Sequence, residues 1–259
     1  MIHETVIVEH RGHVGLITLN RPKKLNVINV KLAQELNDSL LELERDSSVR
    51  VIIIKGAGRA FCAGLDLSEF LGKDGVMEYQ QLVQLLEPMI KTMAGMNKPV
   101  IAAVHGAATA EGCGLTAACD LAIASEDAKF GTTAINVGLF CMGPAAPLLR
   151  SLGRKRSLYL LLTGDIIDAK EAERIGLVNR VVPREYLDKE AMELANKLAN
   201  KSPVALQMGK RAFYAMSNME YQRALEYLGD MFGLLCSTED AKEGISSFLE
   251  KRKPRWNEK

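Results

Sequence analysis

Two runs rich in β-branched residues, Thr5 to His10 and His13 to Asn20, are separated by Arg11-Gly12, a pattern that predicts a β-hairpin. Leu32, Leu36, Leu40 and Leu43 then recur at helical spacing and predict a helix over Asn29 to Arg45. Val49 to Ile54 is a short, mostly apolar run, the sign of a strand covered on both faces, and a Gly/Ala-rich loop follows it. A helix is expected over about Gly75 to Met96. Pro99 to Val104 repeats the buried-strand pattern and runs into His105-Gly106, a helix-compatible stretch begins near Glu111, and Leu121 to Ala124 reads as a further strand. Helix and strand in alternation point to an α/β fold.

After about Gly164 the pattern becomes helical. Asp168-Ala169-Lys170-Glu171 has the form of a capping box opening a short helix that stops at Gly176. Ser202-Pro203 is an N-cap with proline in the first turn, and helices are expected through most of the remainder. The chain therefore divides into a core domain over 1–200 and a helical region over 201–259. Tyr221, Leu225, Leu228, Phe232 and Leu235 form an apolar stripe, which suits either packing on the chain's own core or a subunit interface.

At 259 residues the chain is long enough to bury a sizeable core. Lys plus Arg (33) nearly balances Asp plus Glu (32), so no global field draws it toward nucleic acid or anionic lipid. Five scattered cysteines with no CxxC pair suit a reducing compartment and no metal site. Neither a signal-peptide pattern nor a transit-peptide pattern follows Met1, and no apolar run approaches a bilayer span. A cytoplasmic protein without membrane or nucleic-acid partners is expected.

Two segments share one form, an apolar strand running into a small-residue loop from which a helix opens. The first leads from Val51 to "AFCAGLD" at 60–66, and the second from Val100 to "HGAATAEGCG" at 105–114. Each leaves backbone N–H groups free at a helix start, and two such groups converging would stabilise an oxyanion. Neither loop matches a P-loop or a dinucleotide fingerprint.

"AFCAGLDL" and "PVIAAVHGAATAEGCGLTAACDLAIASEDAKFG" resemble the two signatures of the enoyl-CoA hydratase/isomerase, or crotonase, superfamily. "LTGDIIDAKEAERIGLVNRVV" and "EGISSFLEKRKPRW" resemble later family blocks in the right order. The resemblance extends from "LITLNRP" to Trp256. It implies a crotonase-type spiral of ββα units with a helical C-terminal region that builds homotrimers, often hexamers as dimers of trimers. The expected substrate is an acyl-CoA thioester, with coenzyme A part of the substrate and no separate cofactor. Carried over residue by residue, the oxyanion donors fall on the N–H groups of Leu65 and Glu111. The backbone around Cys62, Ala63 and Leu65 would face the adenine, and Arg59 would meet the CoA phosphates. Phe248 and Lys251 match positions that close the nucleotide end, commonly from a neighbouring subunit. Read without the resemblance, Lys251 belongs to a solvated basic run.

The chain departs from the family at the two glutamates that hold water in hydratases, since the matching positions are Gly114 and Ala134. Neither can exchange a proton, which argues against hydration or double-bond migration by the usual groups. Glu111 stands where the family prefers glycine. Its carboxylate is read either as a relocated acid/base, its charge favoured by the helix dipole, or as a solvent-facing or loop-bracing group. Thr132, Thr133 and Asn136 lie near the vacated second carboxylate as water-orienting or turn residues. Cys141 would line the acyl pocket, most simply as an apolar filler. His105 reads as structural, and Asp66 and Asp120 as loop braces. "GLFC" with "ATAxGC" resembles one branch of the family, the proteins called enoyl-CoA hydratase domain-containing protein 3 and their bacterial relatives. A lyase or isomerase acting on acyl-CoA is favoured over a non-catalytic acyl-CoA binder, and an RNA-binding role ranks last.

Overall fold

A computed structural model describes residues 3–257. The hairpin forms from β1 (Val6–Arg11) and β2 (Val14–Leu19), paired antiparallel with Val6 opposite Leu19. Gly12 turns it with φ +61°, a conformation open to glycine. In α1 (Val30–Arg45), Asn29 is the N-cap and accepts from Leu32 N–H at 3.0 Å. Leu32, Leu36, Leu40 and Leu43 are all buried, so the helical spacing marks the face that meets the core. β3 (Val51–Gly56) follows, parallel to β2.

The expected helix over Gly75 to Met96 is two helices, α2 (Val76–Leu86) and α3 (Pro88–Gly95). Pro88 has no N–H to donate and its ring crowds the preceding turn, so one helix ends and another opens with proline in its first turn. Glu87 is the joint, at φ −102° and ψ −11°.

The chain continues through β4 (Val100–Val104), β5 (Ala107–Thr109), α4 (Glu111–Ala118), β6 (Leu121–Ser125) and β7 (Lys129–Gly131). Next come α5 (Met142–Leu152), α6 (Arg154–Thr163), β8 (Ile166–Asp168), α7 (Ala169–Ile175), β9 (Arg180–Val182) and α8 (Leu187–Ala199). The large sheet runs β1-β2-β3-β4-β6-β9, parallel apart from the hairpin. A small sheet, β5-β7-β8, stands beside it and carries the second glycine-rich turn. Its three-residue strands are too short for a periodicity signal, and the sequence reading has no counterpart for them.

The central strands alternate between two cores. Ile17, Ile52, Ile54, Ala102 and Val104 face α1, α3 and α4, while Leu16, Val51, Ile53, Ile101 and Ile123 face α8. Both faces being covered explains the unbroken apolar runs in β3 and β4. The Asp168 cap on α7 is present, accepting from Glu171 N–H at 2.8 Å, and the helix ends at Gly176 with φ +89°.

The C-terminal helices are α9 (Pro203–Met216), α10 (Tyr221–Cys236) and α11 (Glu239–Leu249). Ser202 caps α9 as its position predicts. Asp120 anchors α9, pairing with Lys210 Nζ at 2.7 Å and accepting from Tyr214 OH at 2.9 Å, while Val100 N–H donates to the same carboxylate. On α10, Tyr221, Leu225 and Phe232 are exposed within the single chain. Among the described residues no helix is long and apolar enough to cross a membrane, and no cluster of three metal-ligating side chains occurs.

Candidate active site

The loop after β3 is held from below by residues that the sequence reading passed over. Buried Asn26 donates to Ala57 O at 2.9 Å and Ala60 O at 2.8 Å, and accepts from Arg21 N–H. Arg21 also pairs with Asp66 at 2.9 Å, and Asp66 accepts from Ser68 Oγ at 2.6 Å. Desolvation opposes that charge, but the Ser68 and Arg21 contacts outweigh it and hold the Asp66 carboxyl below its usual range. From above, Phe61 N–H donates to His105 O and Cys62 N–H to Ala107 O, and Thr109 N–H returns a bond to Cys62 O. His105 Nε2 lies 3.0 Å from Gly58 O, so His105 is structural and Asp66 a brace, as expected.

The two glycine-rich turns meet. A Cβ on Gly64, where φ is +120°, would lie 3.0 Å from Ala110 Cβ and 3.9 Å from Glu111 N. Their neighbours are fixed: Ile28 N–H donates to Gly64 O, Asp66 N–H to Ile28 O, and Ala110 N–H to Gly131 O, each at 2.8 Å. Among the described residues the N–H groups of Leu65 and Glu111 donate to nothing. Two fixed, unpaired donors on adjoining turns are what stabilisation of an oxyanion requires.

Ala110 adopts φ +48° and ψ −114°, a conformation that suits glycine. Strain of this kind costs on the order of 1–3 kcal/mol. Ala110→Gly is therefore expected to raise stability by about 1 kcal/mol in chemical denaturation. A loss of stability instead would show that Ala110 is not strained.

A pocket of about 300 Å³ opens at these donors. Its walls are apolar, with Leu67, Phe70, Val83, Leu86, Leu139 and Phe140 prominent, and Ala63, Leu65, Thr133, Ala134 and Cys141 also contribute. Two charged groups reach it, Glu111 and Glu87. Glu111 is 6% exposed, and its Oε1 has no hydrogen-bond partner. Burial, and then the charge of Glu87, push its carboxyl up to about 7. The start of α4 was expected to favour the charged form, but desolvation outweighs the dipole. The solvent-facing and loop-bracing readings of Glu111 find no support, since the side chain is neither exposed nor bonded to the loop.

Gly114 lies one turn into α4, where a Cβ would fall 2.7 Å from Pro144 Cγ and 2.9 Å from Pro144 Cα on α5. The helices touch where a longer side chain would need room, so glycine is a packing requirement here. Ala134 lines the pocket with a methyl group.

The remaining sequence-selected residues divide. Ala63 and Leu65 line the pocket, while Arg59 is exposed on the same loop. Cys62 is sealed beneath it: the side chain packs against Gly112, both backbone groups are bonded to the segment at 107–109, and burial pushes the thiol up to about 12. Cys141 lines the pocket, and burial raises its thiol too, which suits a filler. Thr133 reaches the pocket, whereas Thr132 is fully buried away from it. The Asn136 amide sits against Gly164, outside the lining. Phe248, 82% exposed, and Lys251, also exposed, lie outside the pocket of their own chain.

The family profile described as enoyl-CoA hydratase/isomerase matches residues 9–259. The chain belongs to the enoyl-CoA hydratase/isomerase family. A protein of Rhizobium meliloti named "Probable enoyl-CoA hydratase" is 42% identical over 257 residues, 99% of each chain. The crystal structure of an enoyl-CoA hydratase of Mycobacterium smegmatis superposes with a TM-score of 0.94 at 37% identity, covering 98% of this chain and 99% of the other. Human enoyl-CoA hydratase domain-containing protein 3 gives a TM-score of 0.94 at 34% identity, covering 98% and 100%. The architecture is thus the α/β crotonase fold with C-terminal helices.

Proposed function

We propose that the protein is an acyl-CoA enzyme that binds its thioester oxygen between the N–H groups of Leu65 and Glu111 and uses the Glu111 side chain as proton carrier. The observation that carries this reading is the coincidence of three features in one apolar pocket: two unpaired backbone donors, a buried carboxylate with an unbonded oxygen beside them, and a second, half-buried carboxylate, Glu87, in the same wall. Each oxyanion donor typically contributes about 100-fold or more to rate. The donors lower the cost of forming an enolate, and Glu111 exchanges a proton with the carbon next to the thioester. Gly114 and Ala134, at the positions of the family's water-holding glutamates, do not take part.

Ala63 and Leu65 place backbone at the pocket rim for the pantetheine and adenine, and Arg59 offers a cation for the phosphates. Phe248 and Lys251 would close the nucleotide end on a neighbouring copy. The exposed stripe of Tyr221, Leu225 and Phe232 supports a homotrimer or a hexamer. The apolar walls suit an aliphatic acyl group.

A second reading, a non-catalytic acyl-CoA binder, draws on Pro144 filling the space beside Gly114. Incubation of butanoyl-CoA with the protein in D₂O, followed by NMR, separates the two. The enzyme exchanges the α-protons, whereas a binder shows affinity by titration calorimetry without exchange. Absence of binding contradicts both readings.

A further inference from the structure

Pro88 interrupts what would otherwise be one long helix and leaves Glu87 at the joint, facing the pocket. Opposite it, at the start of α5, Gly143 has no side chain. A Cβ there would lie 3.4 Å from Glu87 Oε1, 3.6 Å from Glu111 Oε2 and 3.8 Å from Glu111 Oε1. The two carboxylates therefore border one small gap that the missing side chain leaves open. Glu111 is nearly sealed and Glu87 half-buried, so one is screened from bulk water and the other communicates with it. The unbonded Glu111 Oε1 is a buried acceptor that the protein itself does not satisfy, which in a folded chain calls for water or a ligand.

We infer that Glu87 and Glu111 act as one acid/base pair on a water molecule held beside Gly143, so that the chain adds water to 2-enoyl-CoA thioesters. The inference rests on the acyl-CoA reading of the pocket. Its carboxylates come from the α2–α3 joint and the start of α4, not from positions 114 and 134. Glu87, the carboxylate nearer bulk water, accepts a proton from water as the water oxygen bonds to the β-carbon. The π electrons of the double bond move toward the thioester oxygen, held by the N–H groups of Leu65 and Glu111. Neutral Glu111 then gives its proton to the α-carbon. The pair resets when the proton on Glu87 returns to Glu111 through water. One water is consumed, the pair's proton count is unchanged, and the reverse sequence dehydrates the 3-hydroxyacyl thioester.

The test measures two reactions on the full-length protein, water addition to a panel of 2-enoyl-CoA thioesters and α-proton exchange of butanoyl-CoA. Glu87→Gln is expected to lower kcat for water addition on the order of 100-fold, with KM within about threefold, and to slow exchange far less, because exchange needs Glu111 but no attacking water. Gly143→Ala places a methyl group in the gap at ordinary contact distance and is expected to lower water addition comparably while the fold persists. Glu78→Gln, on α2 outside the pocket lining, serves as the control and changes neither reaction. Water addition within about threefold of wild type in both Glu87→Gln and Gly143→Ala overturns the pair. So does a wild-type protein that exchanges α-protons but hydrates no thioester of the panel, a result that leaves the acyl-CoA reading standing. Loss of exchange in the wild type itself fails that reading, and the pair with it.

Discussion

Glu111→Gln is expected to make the protein more stable at pH 8 and far less active. The wild-type carboxyl, near 7 in the fold against 4.5 for a free glutamate, keeps its proton over a range in which the unfolded chain has released it. Its contribution is therefore most favourable below about pH 4.5 and is lost as the pH rises through 7, by about 3 kcal/mol in all. Glutamine keeps the shape and never ionises. The variant should gain about 3 kcal/mol over wild type at pH 8, roughly 6–12 °C in melting temperature, and close to nothing at pH 4. Cys62, Cys113 and Cys141 also face Glu111, but burial holds their thiols neutral over this range, so they do not blur the comparison. Paired melts at the two pH values check it. An equal gain at both would show that the benefit is packing and not the removal of a buried charge. Acyl-CoA turnover should fall on the order of 100-fold or more in the same variant.

Gly114→Glu, which places a carboxylate where the sequence resemblance puts a water-holding glutamate, is expected to damage the fold without adding chemistry. The new Cβ meets Pro144 at 2.7–2.9 Å, and part of that contact is backbone Cα, which cannot swing aside as a flexible side chain would. Overpacking of this kind costs about 1–3 kcal/mol, and a carboxylate forced into the seam between α4 and α5 adds the cost of burying a charge. A destabilisation of about 3 kcal/mol or more in chemical denaturation is expected, with no increase in water addition. Gly114→Ala isolates the packing part. A Gly114→Glu protein as stable as wild type would mean that α5 moves freely, and that packing does not require glycine at position 114.

Much of the scaffold was legible because its elements are long and their burial one-sided or complete. The four leucines of α1 announce its buried face, and the apolar runs of β3 and β4 announce strands covered on both sides. The Asp168 and Ser202 caps mark helix starts at the right residues. The joint at Glu87 was missed although its signal was in the chain: Pro88 stands in the middle of the expected helix, and proline there removes a hydrogen bond. Glu87 itself carried no local sign of function, since only the packing of α3 on α4 brings it across from Glu111. Arg21 and Asn26 were missed for the same reason, their partners lying some 30 or more residues away. Cys62 and Asn136 are the converse, selected by position along a motif and then placed by the fold beneath the loop and against Gly164. The state of the Glu111 carboxyl was beyond sequence reasoning because the competition between helix dipole and desolvation depends on how completely the walls close. The residues of the apolar stripe that stand most exposed, Tyr221, Leu225 and Phe232, show that helical spacing fixes a face without saying what covers it.

The central claim is that Glu111 carries the proton at a thioester held by the Leu65 and Glu111 N–H groups. It is tested most directly by following α-proton exchange of butanoyl-CoA in D₂O with the wild type and with Glu111→Gln, whose backbone donors are retained. The account predicts exchange by the wild type, a loss on the order of 100-fold in the variant, and undiminished binding of the thioester. Exchange that survives unchanged in Glu111→Gln would contradict it.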